Sequence, residues 1–160
     1  MQLLFPGVQH LQNLHPLVVH FPIVFLISSA FLYALAYQLR RDTWAKAAFC
    51  LLLGGALTAA VAVWSGLYAA EGVMVAQSVR SSLLIPHKHW MLAALVMSIL
   101  LAAWAAIDGG FPRKGRVVFV GLCLVLIAIM AKGADDGGRM VYNYNAGGSA
   151  CAQPIEFSGN

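Results

Sequence analysis

Four long runs of apolar residues, separated by short polar stretches, dominate the pattern of this chain. The runs predict helices at about 17–38, 44–69, 88–107 and 116–132. Because a helix needs roughly 20 apolar residues to cross the hydrocarbon core of a bilayer, each run is long enough to span a membrane. The pattern therefore predicts an all-α integral membrane protein built as a four-helix bundle.

The composition indicates the same class of protein. Of the 160 residues, 61% are hydrophobic and only 10% are charged, and the mean hydropathy is +0.77. A soluble domain carries about 25% charged residues, so a soluble globular protein and a disordered chain are both excluded. The net charge is +4, but the basic residues are scattered between the apolar runs. They form no basic face, so nucleic acid is not expected as a partner.

The positions of the basic residues predict the orientation in the membrane. Six basic residues lie at the connection between the first and second runs and at the connection between the third and fourth: Arg40, Arg41, Lys46, Arg113, Lys114 and Arg116. The positive-inside rule puts these two connections in the cytoplasm and both chain termini outside. We therefore expect a multi-pass protein of a bacterial inner membrane with its N- and C-termini in the periplasm.

The composition changes after the last apolar run. Residues 133–160 include six glycines and many other turn-forming residues. We therefore divide the chain into a transmembrane bundle, residues 1–132, and a short, irregular, polar tail in the periplasm, residues 133–160. Between the second and third runs, residues 73–85 (VMVAQSVRSSLLI) predict a short amphipathic helix on the membrane surface.

The histidines all fall at helix ends that this topology places in the periplasm: His10, His15, His20, His87 and His89. His20 lies about one turn inside the first run, where an imidazole needs a polar partner and is expected to face the bundle interior. His89 begins the third run at a comparable depth, so the two side chains can meet across the bundle. Two imidazoles from different helices can ligate a haem iron from both faces, with His15 and His87 as supporting or alternative ligands.

Other interpretations stay open at this point. The same histidines are suited to zinc or copper, as in a periplasm-facing metal site or permease. They also suit a structural hydrogen-bonded cluster in a non-catalytic anchor subunit of a larger complex. Small residues such as Gly54, Gly55 and Gly66 permit either a bulky cofactor or close helix packing. No acidic residue lies in the middle of a predicted span, which disfavours an ion-coupled transporter.

The stretch HPLVVHFPIVFL, residues 15–26, resembles the signature of a bacterial membrane family filed as domain of unknown function 2231. The matching positions are His15, Pro16, Leu17, His20, Phe21, Pro22, His89 or His87, Gly137, Gly138, Met140, Val141 and Tyr142. The resemblance covers residues from about 15 to 148 and implies four helices. Members of that family are similar to small b-type cytochromes in helix count and histidine placement, which is an analogy of architecture.

Together these features predict a membrane-embedded electron-transfer subunit without substrate chemistry of its own. It is expected to bind haem b near the periplasmic face through His20 and His89. Its expected partners are the lipid bilayer and a larger membrane redox complex or a periplasmic cytochrome. The chain contains no Cys-x-x-Cys-His motif, so covalently attached haem is not expected.

Overall fold

The computed structural model describes residues 14–73 and 75–146, and the regular structure in these ranges is entirely helical. Four of its helices are long and apolar enough to cross a membrane. They are α1 (His15–Leu39), α2 (Asp42–Gly72), α3 (Gln77–Ile107) and α4 (Arg116–Tyr144). The predicted all-α bundle of four membrane-length helices is thereby confirmed.

The last helix is longer than the sequence predicted. It continues through residues 133–144, so the expectation of an irregular tail was wrong for this stretch. Its glycines suggested turns, but Gly133 and Gly137 lie where α4 closely approaches α3. Lys132 and Asp136 also form an ion pair four residues apart, which supports a helix.

The third helix begins earlier than predicted. A short α-helical turn, Gln77–Val79, and a π-helical turn, Arg80–Leu84, lead into Ile85–Ile107. Residues 77–85, which were expected on the membrane surface, are therefore the first turns of α3. Pro86 accounts for the π-helical turn, because proline lacks an N–H group and its ring clashes with the carbonyl group four residues earlier.

A comparable distortion lies near the start of α1. The helix is interrupted at Val19, between the segments His15–Val18 and His20–Leu39. Pro22 follows Val18 by four residues, so its missing N–H group and its ring act on the Val18 carbonyl group. The proline distortions of α1 and α3 thus both lie at the helix ends that carry the histidines.

An aromatic cluster joins three helices at the other end of the bundle. The rings of Tyr33 and Phe119 are fully buried and meet edge to face, with centroids 4.8 Å apart. Phe111 lies 5.1 Å from Tyr33, and Trp104 lies 5.5 Å from Phe119, between ring centroids. The Tyr33 hydroxyl donates a hydrogen bond of 2.8 Å to the Gly110 carbonyl oxygen. The cluster therefore fastens α1 to α3, α4 and their connection.

Replacing Tyr33 with Phe is expected to lower the free energy of unfolding by about 1–2 kcal/mol, because it removes a buried hydrogen bond and keeps the ring. The matched control is Tyr68→Phe, since Tyr68 is 75% exposed. Unfolding in mixed micelles, followed by circular dichroism, measures both variants. Equal stability of the two would show that the hydrogen bond to Gly110 contributes nothing.

Small residues let α1 and α2 approach each other closely. A Cβ atom at Gly55 would lie 2.5 Å from Leu26 Cδ2 and 3.3 Å from the Leu26 backbone nitrogen. In the same interface, the Ser29 hydroxyl donates a hydrogen bond of 2.8 Å to the Ala48 carbonyl oxygen. Of the two roles proposed for small residues, Gly55 therefore serves close helix packing.

Candidate functional site

The candidate site lies at the end of the bundle where α1 and α3 begin and α2 and α4 end. Two histidines at this end make hydrogen bonds to a neighbouring helix. His15 of α1 contacts Ser65 of α2, and His87 of α3 contacts Gly133 of α4. Each histidine therefore joins the beginning of one helix to the last turns of another.

His15 is held by the last turns of α2. Its Nδ1 lies 3.0 Å from Oγ of Ser65, and the Ser65 hydroxyl donates a hydrogen bond of 3.0 Å to the Ala62 carbonyl oxygen. Because the hydroxyl proton is used on Ala62, we assign Nδ1 of His15 as the donor to Ser65. The ring also interacts with the backbone of Ala62, so α2 holds His15 at more than one point.

The His15 ring rests on the backbone of α2 at Gly66. A Cβ atom at this position would lie 2.7 Å from Cε1 of His15 and 3.2 Å from its Nδ1. Any larger residue would displace the ring or push the two helices apart. Gly66 therefore creates the space that the imidazole occupies.

His87 is held by α4 in a similar way. Its Nδ1 donates a hydrogen bond of 2.7 Å to the Gly133 carbonyl oxygen, which only accepts. Nδ1 therefore carries a proton, and Nε2 carries the lone pair when the ring is neutral. A Cβ atom at Gly137 would lie 3.1 Å from Cε1 of His87. This close approach gives a physical reason for a glycine at position 137.

The two half-buried histidines lie at the same end of the bundle. Each is fixed through Nδ1 to a second helix, and each lies against a glycine of that helix. This end of the bundle therefore carries two oriented imidazoles, each at the contact of a different pair of helices.

His20 and His89 lie outside this arrangement, because both are exposed on the surface of the bundle. The expectation that His20 faces the bundle interior was therefore wrong. On a helix, residues five apart point about 140° apart, and residues two apart point about 160° apart. When His15 and His87 face inward, His20 and His89 consequently face outward. The structure therefore does not bring His20 and His89 together in the interior of the bundle. Their role as ligands stays a prediction.

A buried acidic residue in α4 escaped the sequence analysis. Asp136 is only 3% exposed, and its Oδ1 accepts a hydrogen bond of 2.6 Å from Nζ of Lys132. Asp135 lies 3.6 Å from the same Nζ. The burial of Asp136 could have been predicted from its position between Gly133 and Gly137, which lie on the face of α4 that contacts α3. The prediction of an irregular tail for this stretch did not allow for such a face.

The described residues offer few donors for a metal ion. Among residues 14–73 and 75–146, no three His, Cys, Asp or Glu side chains lie close enough together to hold a metal ion. Protein sites for zinc use about three or four side chains. The described donors thus fall short of that number. His10 and Cys151 lie outside the described residues.

The sequence model of the family described as "Predicted membrane protein (DUF2231)" matches residues 11–150. The matched range contains all four spans and both histidines of the candidate site. No curated protein and no solved structure matches the chain. The family match confirms the resemblance carried by the motif at residues 15–26.

Proposed function

We propose that this chain, which belongs to the family described as "Predicted membrane protein (DUF2231)", is a membrane-embedded electron-transfer subunit that binds a b-type haem. His15 and His87 would hold the haem iron, in place of the exposed His20 and His89. Bound haem supplies a centre that accepts and releases one electron. The residues of the chain supply the ligand nitrogens, their orientation and their burial.

The hydrogen bonds of the two Nδ1 atoms carry this proposal. A histidine that ligates a metal almost always donates its other ring N–H to a carbonyl, a carboxylate or a water, which fixes its tautomer and its orientation. Nδ1 of His87 donates to Gly133, and Nδ1 of His15 donates to Ser65. These hydrogen bonds fix the orientation of both rings.

The hydrogen bond from His87 to Gly133 also has an electronic consequence. Donation from Nδ1 to a carbonyl oxygen makes the imidazole more basic at Nε2. A more basic Nε2 would be a stronger donor to a haem iron.

We place the histidine end of the bundle in the periplasm of a bacterial inner membrane. The support is the basic composition of the opposite end, where Arg40, Arg41, Arg113 and Lys114 flank the helices. Electrons then pass between a periplasmic carrier and a larger membrane redox complex. A C-terminal alkaline phosphatase fusion is expected to be active and a C-terminal green fluorescent protein fusion dark. If the green fluorescent protein fusion is fluorescent and the alkaline phosphatase fusion is inactive, the C-terminus lies in the cytoplasm and the proposed orientation is wrong.

The second candidate function is that of a structural anchor subunit. The hydrogen bonds of His15 and His87 favour this function as well. The hydrogen bonds of His15 and His87 fasten α1 to α2 and α3 to α4. Such bonds stabilise helix association in a membrane without any cofactor. The two functions differ in one observable property, which is the presence of haem in the purified protein.

The test is an absorption spectrum of detergent-purified protein, reduced with dithionite, minus that of the oxidised protein. A pyridine extract identifies the haem type, and iron analysis gives its amount per chain. The expected result is a b-type band in stoichiometric amount. A colourless protein that takes up no haemin on titration would contradict the electron-transfer function and support the structural anchor.

A further inference from the structure

A half-open pocket on the surface of the bundle, called the cavity below, lies at the end opposite the histidines. Its volume is about 450 Å³, and it is lined by Tyr37, Gln38, Arg40 and Arg116. Tyr37 and Gln38 belong to the end of α1, Arg40 directly follows it, and Arg116 begins α4. The cavity is therefore lined by two arginines, one directly after the end of α1 and one at the start of α4.

Arg116 is held in place by contacts that leave part of its guanidinium unused. Nε donates a hydrogen bond of 3.0 Å to the Pro112 carbonyl oxygen, and the guanidinium carbon lies 4.7 Å from the centroid of the Phe111 ring. Nη2 lies 4.0 Å from Oδ1 of Asp42, whose side chain is 81% exposed. An exposed pair at this distance is weak. Because a guanidinium has five N–H donors, Arg116 retains donors for a ligand.

Arg40 occupies a backbone position that suits glycine. It follows the last residue of α1 with φ 53° and ψ 39°, in the left-handed region that commonly ends a helix. A residue with a Cβ atom is strained in this conformation, whereas glycine is not. An arginine here therefore contributes something other than helix termination, and its side chain lines the cavity.

We propose that this cavity binds the phosphate group of an anionic phospholipid, with Arg40 and Arg116 as the phosphate ligands. Guanidinium groups match phosphate oxygens in geometry and charge, and form strong charge-assisted hydrogen bonds with them. Basic pockets between transmembrane helices commonly hold anionic lipid headgroups. This inference rests on the arginine end of the bundle alone and is independent of the haem.

The surroundings of the cavity favour a lipid over free phosphate. The helices that carry the two arginines expose large apolar side chains to the bilayer, among them Phe31 at 65% and Val117 at 63% exposure. Val117 directly follows Arg116, so an acyl chain can lie on α4 while its headgroup occupies the cavity. Tyr37 lines the cavity and is 43% exposed, as is typical of aromatic residues at the membrane interface.

Native mass spectrometry of the delipidated full-length protein in detergent tests the proposal. The probes are phosphatidylglycerol, zwitterionic phosphatidylcholine and inorganic phosphate. The double variant Arg40→Gln/Arg116→Gln is compared with Arg41→Gln/Arg113→Gln, which loses the same charge at exposed positions outside the cavity lining. The cavity variant is expected to bind phosphatidylglycerol about ten-fold more weakly than wild type, the effect of losing charge-assisted hydrogen bonds. The control variant is expected to bind it like wild type.

Three outcomes would overturn the proposal. Equal losses in both double variants would indicate diffuse surface charge instead of a site. Equal binding of phosphatidylglycerol and phosphatidylcholine would exclude recognition of an anionic headgroup. Displacement of the lipid by inorganic phosphate would identify free phosphate as the ligand. Should the double variant fail to fold, Arg40→Gly keeps the test possible, because glycine suits the backbone at this position; it is expected to fold and to bind phosphatidylglycerol more weakly.

Discussion

His15→Ala and His87→Ala are each expected to reduce the haem content of the purified protein more than about ten-fold, since loss of even a supporting residue of a metal ligand costs 10–100-fold in affinity. Each change removes one of the two inward-facing imidazoles. The helices themselves remain, because their length and apolar composition are untouched. Haem per chain, measured from pyridine extracts of the variants and of wild type, gives the result directly.

His20→Ala and His89→Ala are the matched controls for these variants. They make the same chemical change at the same helix ends, but at exposed positions. Both are expected to keep the haem content of wild type. The opposite result would be loss of haem in His20→Ala and His89→Ala with normal haem content in the other two variants. It would show that His20 and His89 are the ligands, as the sequence predicted.

Chemical rescue separates ligation from a structural role of His87. A His87→Gly variant leaves space for a free imidazole molecule, which can supply a ligand nitrogen but is not attached to α3. If His87 is a ligand, added imidazole is expected to restore the b-type band of this variant. Restored thermal stability without any haem band would show that the residue acts only through its hydrogen bond to Gly133.

The sequence predicted the number and character of the spans because length and apolarity are local properties of a chain. The residues at which the helices begin and end were predicted less well. Gly133 and Gly137 have the composition of a turn, yet they lie inside α4 against Trp90 and His87 of α3. Only the presence of the neighbouring helix explains them. Pro86 likewise interrupts no helix, because the π-helical turn before it accommodates the ring.

The histidines named from the sequence include the two that bond to a neighbouring helix, but the sequence did not show which histidines are exposed. Depth within the apolar run favoured His20 and His89, whereas the side of the helix on which a residue lies decides what it contacts. In a membrane bundle both the inner and the lipid-facing sides are apolar, so hydrophobic periodicity does not separate them. Glycines mark the inner side: Gly66 lies against His15, and Gly137 lies against His87.

Gly55→Ala and Gly54→Ala are expected to change stability in opposite directions, although the two residues are neighbours in α2. Alanine is favoured over glycine within a helix by up to about 1 kcal/mol. At Gly54 the new methyl group would lie 3.5 Å from Cδ2 of Phe25, an ordinary van der Waals distance. Gly54→Ala is therefore expected to leave stability unchanged or to raise it by a few tenths to about 1 kcal/mol.

At Gly55 the same methyl group would lie 2.5 Å from Cδ2 of Leu26, whose side chain is buried. The Leu26 backbone nitrogen lies only 3.3 Å from the new atom, so a rotation of the leucine side chain does not remove the conflict. α1 must then move away from α2. Because van der Waals packing drives helix association in lipid, we expect Gly55→Ala to lower the free energy of unfolding by about 1–3 kcal/mol.

Unfolding of both variants in mixed micelles, followed by circular dichroism, measures the difference. Gly121→Ala provides a further control, because a Cβ atom at Gly121 of α4 would meet nothing within 4 Å. It isolates the intrinsic helix preference of alanine under the same conditions. If Gly55→Ala is as stable as Gly54→Ala and Gly121→Ala, the interface at Leu26 yields to an added methyl group. Close packing at Gly55 would then not determine the distance between α1 and α2.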